Sequence, residues 1–384
     1  MKVVFLSNFY NHHQSELCEQ LHKQTGGDFY FIQYRKMSEE RGKLGWGQQE
    51  VPSYVVNAFG DEQQAKYAQT LINEADVLIL GADEKKVEQR LIDGKLTFKY
   101  TERIYKEQNS VLRRIVHSIR YRIEFCRYKN FYLLCAGAYV SMDFWRNGVF
   151  HNKAYKWGYF PAVKRYERIK AIVEKKERNS ILWVGRFIEY KHPEIVVEIA
   201  KKLKNEGVDF HIRMIGIGEL EEKIRSNILD EGLQGEITMC GAMSPDEVRS
   251  YMEKSSIFLF TSDFGEGWGA VLNESMNSGC AVVASHAIGA APYLVRDGIN
   301  GCLYRNGNYE SLYNKVVTLL KNKEYCSQLG LKAYDTITNE WNAEIAAKRF
   351  IQLSKSLLVK GCRPINFEKG ICSSAERMAN DWYE

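Results

Sequence analysis

Residues 257–284, IFLFTSDFGEGWGAVLNESMNSGCAVVA, place a glycine-rich turn and a short helical stretch between two apolar runs. IFLF and CAVVAS read as buried strands, because short continuous apolar runs bounded by turn residues suit the interior of a parallel sheet. The turn Glu266–Gly269 opens a helix expected over Ala270–Ser278, and Gly279 stands where a helix commonly ends. Glu266 and Glu274 lie eight residues apart across this unit. A mostly helical interval would separate them by about 10–12 Å, roughly the reach from a sugar ring across a diphosphate to a ribose.

The same rhythm continues on both sides. Strands are expected at Ile181–Val184, Phe210–Ile215, Ile237–Cys240 and Cys302–Tyr304, with helical stretches between them. Ser244, Pro245 and Glu247 form an N-cap, a first-turn proline and a capping-box glutamate. Towards the N-terminus, strands are expected at Lys2–Ser7, Phe29–Tyr34, Asp76–Gly81 and Phe131–Gly137. A helix runs through Leu17 and Leu21 after the loop NFYNHHQ, and another over Ala65–Asn73; a polar excursion carries Gly42, Gly45 and Gly47. Strands alternating with helices indicate parallel βαβ units, hence an α/β chain. Its 384 residues exceed one ordinary core. The pattern loosens around WGYFPA, so a first doubly wound domain is expected over 1–157 and a second over 158–360. The tail, Cys362–Glu384, departs from this rhythm and holds a helix-like stretch, SSAERMANDWY, with Ser373 or Ser374 as cap.

A hydrophobic share of 45% with six prolines argues for a globular chain. No targeting segment is visible after Met1, and the longest apolar run, Tyr132–Val140, is about half a membrane span. Nine cysteines without a C-x-x-C pair point to reduced thiols in a cytoplasmic protein, with Cys135, Cys240 and Cys280 serving the core.

The net charge of +5 conceals a basic block. Residues 100–178 hold 18 Lys and Arg against 7 Asp and Glu, so the rest of the chain is net acidic. Within the block, segment 103–129 spaces Val111, Ile115, Ile119 and Ile123 on one helical face among arginines. Such a helix either covers a sheet with a solvated charged side or meets an anionic membrane surface; nucleic acid is not expected, since no binding module accompanies the charge.

Ligands of open α/β sheets bind beyond the carboxyl ends of the strands, so the loops there carry the candidate chemistry. GRFIEYK, residues 185–191, offers Arg186 and Lys191 as cations for a diphosphate, unless either is a plain surface charge. Backbone amides of Gly267, Trp268 and Gly269 at a helix start suit phosphate oxygens. Glu274 suits a ribose diol and Glu266 sugar hydroxyls, although two spaced glutamates are equally at home on a solvated helix. In GIGEL, Gly216 and Gly218 begin a dinucleotide fingerprint whose third glycine is Glu221, so Gly216 serves either a nucleotide or a tight turn.

Taken together, Glu266 to Glu274 matches an E-x7-E signature, GRFIEYK resembles a G-R-x4-K phosphate motif, and DGINGCLY resembles a D-G-x-N-G segment. In these motifs the chain resembles the retaining glycosyltransferases of family 4, glycosyl transferases group 1, of the bacterial surface-polysaccharide type. The resemblance covers the second domain closely and the first in outline. It implies a GT-B fold, two Rossmann-like domains facing across a cleft, with a C-terminal return segment, about 361–384, whose helix near Ser374–Trp382 crosses back to the first. It implies transfer of a hexose-type sugar from a nucleotide diphosphate sugar to a glycan or lipid-linked acceptor, with retention and without a metal or other cofactor; no D-x-D triplet is present. Arg186 and Lys191 would bind the diphosphate, Glu274 the ribose, Glu266 the transferred sugar, and residues 267–269 the phosphates. The chain departs from the family at NFYNHHQ, where His12 and His13 become acceptor-side candidates, and at GAAPY, where Tyr293 replaces a glutamate. It departs again at YTERIYK, where Glu102 or Arg103 stands in place of a histidine. An epimerase or phosphorylase of the same fold, or a non-catalytic sugar-nucleotide-binding subunit, are the rival readings. The protein would be cytoplasmic, at most peripheral at the inner membrane face.

Overall fold

The computed structural model describes residues 1–36, 51–106, 111–359 and 364–383, with the side chains of 111–114 outside that set. The Gly42, Gly45 and Gly47 excursion and residues 107–110 of the basic segment lie outside the described residues. The chain divides into two units, Met1–Ala162 with Trp341–Ala379, and Val163–Glu340 with Asn380–Glu384.

Among the described residues the first unit holds seven strands: β1 (Val3–Ser7), β2 (Phe29–Gln33), β3 (Val55–Asn57), β4 (Val77–Gly81), β5 (Thr97–Thr101), β6 (Phe131–Ala136) and β7 (Ala154–Trp157). They form one parallel sheet in the order β3-β2-β1-β4-β5-β6-β7. Its inner strands are apolar on both faces, as a sheet covered by helices on both sides requires. Helix α1 (His12–Gln24) follows β1, and helix α2 (Val111–Phe125) precedes β6.

The second unit holds six: β8 (Glu177–Val184), β9 (His211–Ile215), β10 (Ile237–Met239), β11 (Ser255–Phe260), β12 (Ala281–Ser285) and β13 (Cys302–Tyr304). Their order is β10-β9-β8-β11-β12-β13, again parallel, with Ile257 beside Ile181 and Phe258 beside Leu182. Helix α3 (Pro193–Asn205) follows β8 and helix α4 (Ala270–Asn277) follows β11. The order reverses between β8 and β11, so the loops after these two strands flank the switch point, where such sheets bind ligands.

Several expectations need correction. Short β3, β5 and β7 were not anticipated: TFKYT and AYKW alternate polar with apolar residues over too few positions to stand out. Helix α1 begins at His12, because the Asn11 side chain accepts from the His13 amide and caps it; the two histidines lie in its first turn and not in a loop. The segment returning to the first unit starts at Trp341 rather than near 361. Trp341 stacks on Phe160 with ring centroids 5.9 Å apart. Helix α5 (Ala343–Leu358) puts Phe350 at 5.0 Å from Phe98 and 5.7 Å from Trp157. That helix makes the return, whereas Ser374–Trp382 is not helical. Around Ser374 the chain instead pairs with the open edge of β7. Lys156 donates its amide to the Ser373 carbonyl at 2.8 Å, and Ala375 donates to Ala154 at 2.9 Å. Pairing an edge strand satisfies backbone groups that a helix there would leave to water.

Candidate active site

At the end of β8, a Cβ on Gly216 would lie 1.9 Å from the Gly185 carbonyl oxygen, and its φ is +139°. Its amide is taken by Gly241 at 2.8 Å. The tight-turn reading of Gly216 thus has a direct structural cause. The chain then presents Arg186, exposed and donating to the Tyr190 hydroxyl at 3.1 Å, with no carboxylate partner among the described residues. Lys191 turns inward. Its ammonium lies 5.4 Å from the Phe260 ring centroid and is paired with the carboxylate of Glu266, each side chain only 12% exposed.

The loop after β11 is stitched to this turn by contacts that sequence reading missed. Buried Thr261 accepts from the Trp183 indole at 2.9 Å and donates to the Lys191 carbonyl. The Asp263 amide donates to the Tyr190 carbonyl at 3.0 Å, and its carboxylate accepts from the Gly265 amide at 2.7 Å. The other Asp263 oxygen lies 3.1 Å from Nε2 of His192, whose Nδ1 lies 2.7 Å from Glu194. His192 adopts φ 51°, ψ 54°, an uncommon conformation for a residue with a side chain. Its hydrogen bonds to Asp263 and Glu194 outweigh burial and raise it to about 9, so it is a cation at neutral pH. Burial opposes ionisation of Asp263, but the bonds from His192 and the Gly265 amide prevail and hold it below the ordinary carboxylate range. The signal was present in the sequence, a histidine and an aspartate each just past a strand, but only the fold brings them together.

Glu266 also accepts from Ser262 at 3.1 Å. Beyond it, Gly269 adopts φ +90°, and a Cβ there would lie 2.7 Å from the Phe260 ring. The Trp268 indole is fully buried and donates to Asn273 at 2.9 Å, so this side chain anchors the turn and leaves only backbone to face a ligand. The Gly289 amide donates to the Glu266 carbonyl at 3.3 Å and that of Ala290 to Trp268 at 3.1 Å, so the segment after β12 braces the turn. Among the described residues no acceptor meets the amides of Gly267 and Gly269, which sit where α4 begins without a side-chain cap. Unused donors at the positive end of a helix favour an anion.

Glu274 lies on α4. Arg249 bonds its carbonyl at 3.2 Å, but no described group bonds its carboxylate. Some of its surface stays accessible, yet protein surrounds most of it, and this burial raises the carboxyl despite the charge of Arg249. A carboxylate kept unpaired at such a cost is a ready acceptor for hydroxyls.

The remaining expectations separate. His12 and His13 belong to the first unit, their rings 3.8 Å apart; burial and then His12 depress His13 to about 3. Glu102 accepts from the Tyr159 hydroxyl at 2.7 Å and from Lys106 at 2.6 Å, and Arg103 is paired at 3.2 Å with buried Asp143. Tyr293 lies 6.3 Å from the Trp268 ring. In DGINGCLY, Asp297 accepts from the Leu303 amide at 2.8 Å and Asn300 donates to the Leu294 carbonyl at 2.9 Å, a turn held by its own side chains. Cys135 and Cys280 are buried, and burial raises both thiols; Cys240 is half-buried and likewise raised.

The family model described as Glycosyl transferases group 1 matches residues 165–336, the stretch that carries β8 to β13 and every contact of the switch point. Residues 165–336 are thus similar to a group 1 glycosyltransferase domain. An uncharacterized glycosyltransferase of Methanocaldococcus jannaschii is 34% identical over 152 residues, 40% of this chain and 41% of that protein. The amylovoran biosynthesis glycosyltransferase AmsK of Erwinia amylovora is 28% identical over 182 residues, 46% of this chain and 44% of that one. The chain thus spans under half the length of these relatives. Beyond the group 1 domain the likeness is structural. HepE of Anabaena, in a crystal structure with UDP, superposes with a TM-score of 0.69 over 93% of this chain and 100% of that one, at 15% identity. The two Rossmann-like domains therefore have the GT-B fold.

Proposed function

We propose that the protein is a cytoplasmic, retaining glycosyltransferase that moves a hexose-type sugar from a nucleotide diphosphate sugar to a glycan or lipid-linked acceptor in polysaccharide assembly. The observation that carries this reading is the pairing of Lys191 with Glu266 at the switch point, beside Arg186, which has no carboxylate partner among the described residues, and the amides of Gly267 and Gly269, which no described acceptor meets. A diphosphate competes with Glu266 for Lys191. Binding then exchanges one anion for another and releases Glu266 towards the sugar hydroxyls, while Glu274 accepts from the ribose. The bond from the anomeric carbon to the leaving phosphate oxygen breaks, and the acceptor oxygen bonds that carbon from the same face. The acceptor proton passes to the leaving oxygen. Arg186, Lys191 and the amides stabilise the charge developing on the diphosphate, a task that metal ions perform in other transferases. The UDP held by HepE supports a nucleotide donor, and the name of AmsK supports polysaccharide as the product class.

The test is a thermal-shift panel of nucleoside diphosphates and their sugars, followed by transfer to candidate acceptors and assignment of the anomeric configuration. A ligand at 100 times its dissociation constant raises stability by roughly 2.7 kcal/mol, well within detection. A protein stabilised by no nucleoside diphosphate, or a product with inverted configuration, sinks the reading.

A further inference from the structure

In the second unit, the histidine that follows β12 is held from both sides. His286 is buried, and its two ring nitrogens have different partners. The Asn306 amide donates to Nδ1 at 2.9 Å, so the ring hydrogen sits on Nε2, which donates to the Asn380 carbonyl at 2.9 Å. Burial lowers the imidazole below its ordinary value, which keeps this tautomer uncharged. Beyond Asn380 the chain lays two more rings against it. Tyr383 stacks on His286 at 5.7 Å between centroids, and Trp382 lies tilted at 6.2 Å. The Tyr383 hydroxyl is 2.9 Å from the Asp297 carboxylate and 2.8 Å from the Leu303 carbonyl, and shares its proton between them.

His286 reaches the turn 263–269 by two routes. Its ring meets Phe264 edge-on, 5.6 Å between centroids at 87°, and Phe264 stands between Asp263 and Glu266. Along the backbone, Gly289 and Ala290 bond the carbonyls of Glu266 and Trp268, and a Cβ on Gly289 would lie 1.8 Å from the Gly267 carbonyl oxygen. The chain over 380–383 is turn and irregular, with Asn380 and Asp381 exposed and Trp382 and Tyr383 half-buried. A short irregular segment held mainly by side chains lies at the low end of local stability, so it can open while the sheet stays folded. Opening takes the acceptor from a buried imidazole N–H, which is costly to leave unpaired, and uncovers the ring face on which Tyr383 stacks.

We propose that His286 is a positioning residue for the turn 263–269 and that the segment 380–383 is the clasp that holds it. With the clasp closed, the ring is fixed against Phe264, and Glu266 and the amides of Gly267 and Gly269 keep the arrangement that meets a diphosphate. With the clasp open, Phe264 loses its support and the turn samples other shapes. Apparent affinity then falls with the fraction of molecules that remain competent to bind. Asp297 gains a second task in this scheme: besides holding its own turn through the Leu303 amide, it is the catch for Tyr383. What the turn binds rests on the transferase reading, whereas the bracing itself does not, and the two are measured separately.

The full chain and its variant Trp382→Ala/Tyr383→Ala are compared by hydrogen–deuterium exchange, and each is titrated with UDP, GDP, ADP, CDP and dTDP. The variant exchanges faster in peptides covering 263–269 and 286–290, while those of α3 keep the wild-type rate. Its dissociation constant for the nucleotide that wild type binds best rises about tenfold, and Tyr383→Phe, which keeps the ring and loses the hydroxyl, falls between the two. His286→Gln keeps a donor for the Asn380 carbonyl but removes the ring that meets Phe264, so it loosens the turn with the clasp in place. That variant decides the matter should the alanine pair fold poorly. Unchanged exchange in the turn, or faster exchange throughout the second unit, overturns the proposal. So does unchanged or tighter binding of a nucleotide that wild type binds, the tighter case making the segment an occupant rather than a brace. A wild type that binds none of the five sinks the transferase reading, and exchange alone then decides the clasp.

Discussion

Lys191 and Glu266, 75 residues apart in the chain, form one ion pair at the point where the second sheet reverses its strand order. Both motif residues are thus engaged with each other, and on the proposed reading each becomes available to a donor only as the other finds a new partner.

This exchange separates binding from transfer. Glu266→Gln frees Lys191, so nucleoside diphosphate affinity holds level or rises, while sugar transfer falls about a hundredfold or more. Lys191→Met weakens both. Thermal shifts with the best nucleoside diphosphate, set beside initial rates, decide the matter. Equal loss of nucleoside diphosphate binding in the two variants would disprove the exchange.

Glu274 should show opposite signs in stability and function. Its carboxyl is raised by burial, so ionisation at neutral pH is unfavourable to the fold. Glu274→Gln removes that charge at nearly constant shape, and the melting temperature stays level or increases. The amide cannot accept the second hydroxyl of a diol, and donor affinity drops by roughly 1–3 kcal/mol. A variant that loses stability and keeps its affinity contradicts the ribose role.

The loop lock at His192 predicts a pH dependence. Its folded value of about 9 exceeds the ordinary 6.5, so the charged form stabilises the fold. That contribution is complete below pH 6.5 and disappears as pH rises through 9; Asp263 and Glu194, both held below the usual carboxylate range, stay ionised throughout this window. Because the side chain keeps 23% of its surface exposed, solvent screening keeps the effect to about 1 kcal/mol. His192→Asn, which tolerates the same backbone conformation, should flatten the melting-temperature profile between these limits. An unchanged slope removes His192 from the lock.

Arg103 tests the first domain. Its partner Asp143 is buried and also accepts from the Ile104 and Tyr105 amides at 3.2 and 3.3 Å. Arg103→Met leaves that carboxylate without its cation and destabilises by about 3–5 kcal/mol. Urea unfolding measures the loss. Nucleoside diphosphate binding to the second domain at low temperature stays intact, so a variant of normal stability without transfer would restore Arg103 as a candidate for chemistry.

The second domain was far more legible than the first. Apolar runs mark its central strands, ILWV in β8, IFLF in β11 and AVVA in β12, and Arg186, Lys191, Glu266 and Gly269 fall on the two loops of the switch point. What remained hidden depends on contacts across the fold: His192 with Asp263, Thr261 with Trp183, and Lys191 with Glu266 itself. In the first domain, β3 and β7 lie at the sheet edges and are too short for periodicity to register. Helix α5 has an ordinary amphipathic pattern, which says that one face is buried but not against which domain. For helix α2 the pattern left open which way the apolar face turns. Its apolar face is real, but the structure turns it outward.

The chain passes from one unit to the other at 162/163, 340/341 and 379/380. A ribosome therefore delivers the second domain, 163–340, almost whole before it releases α5 and the segment that pairs with β7. The N-terminal sheet is made first but finished last, and until Trp341 and Phe350 emerge, Phe160, Phe98 and Trp157 must wait with their rings uncovered. In a cell, the half of the protein synthesised earlier is the half that most needs a chaperone.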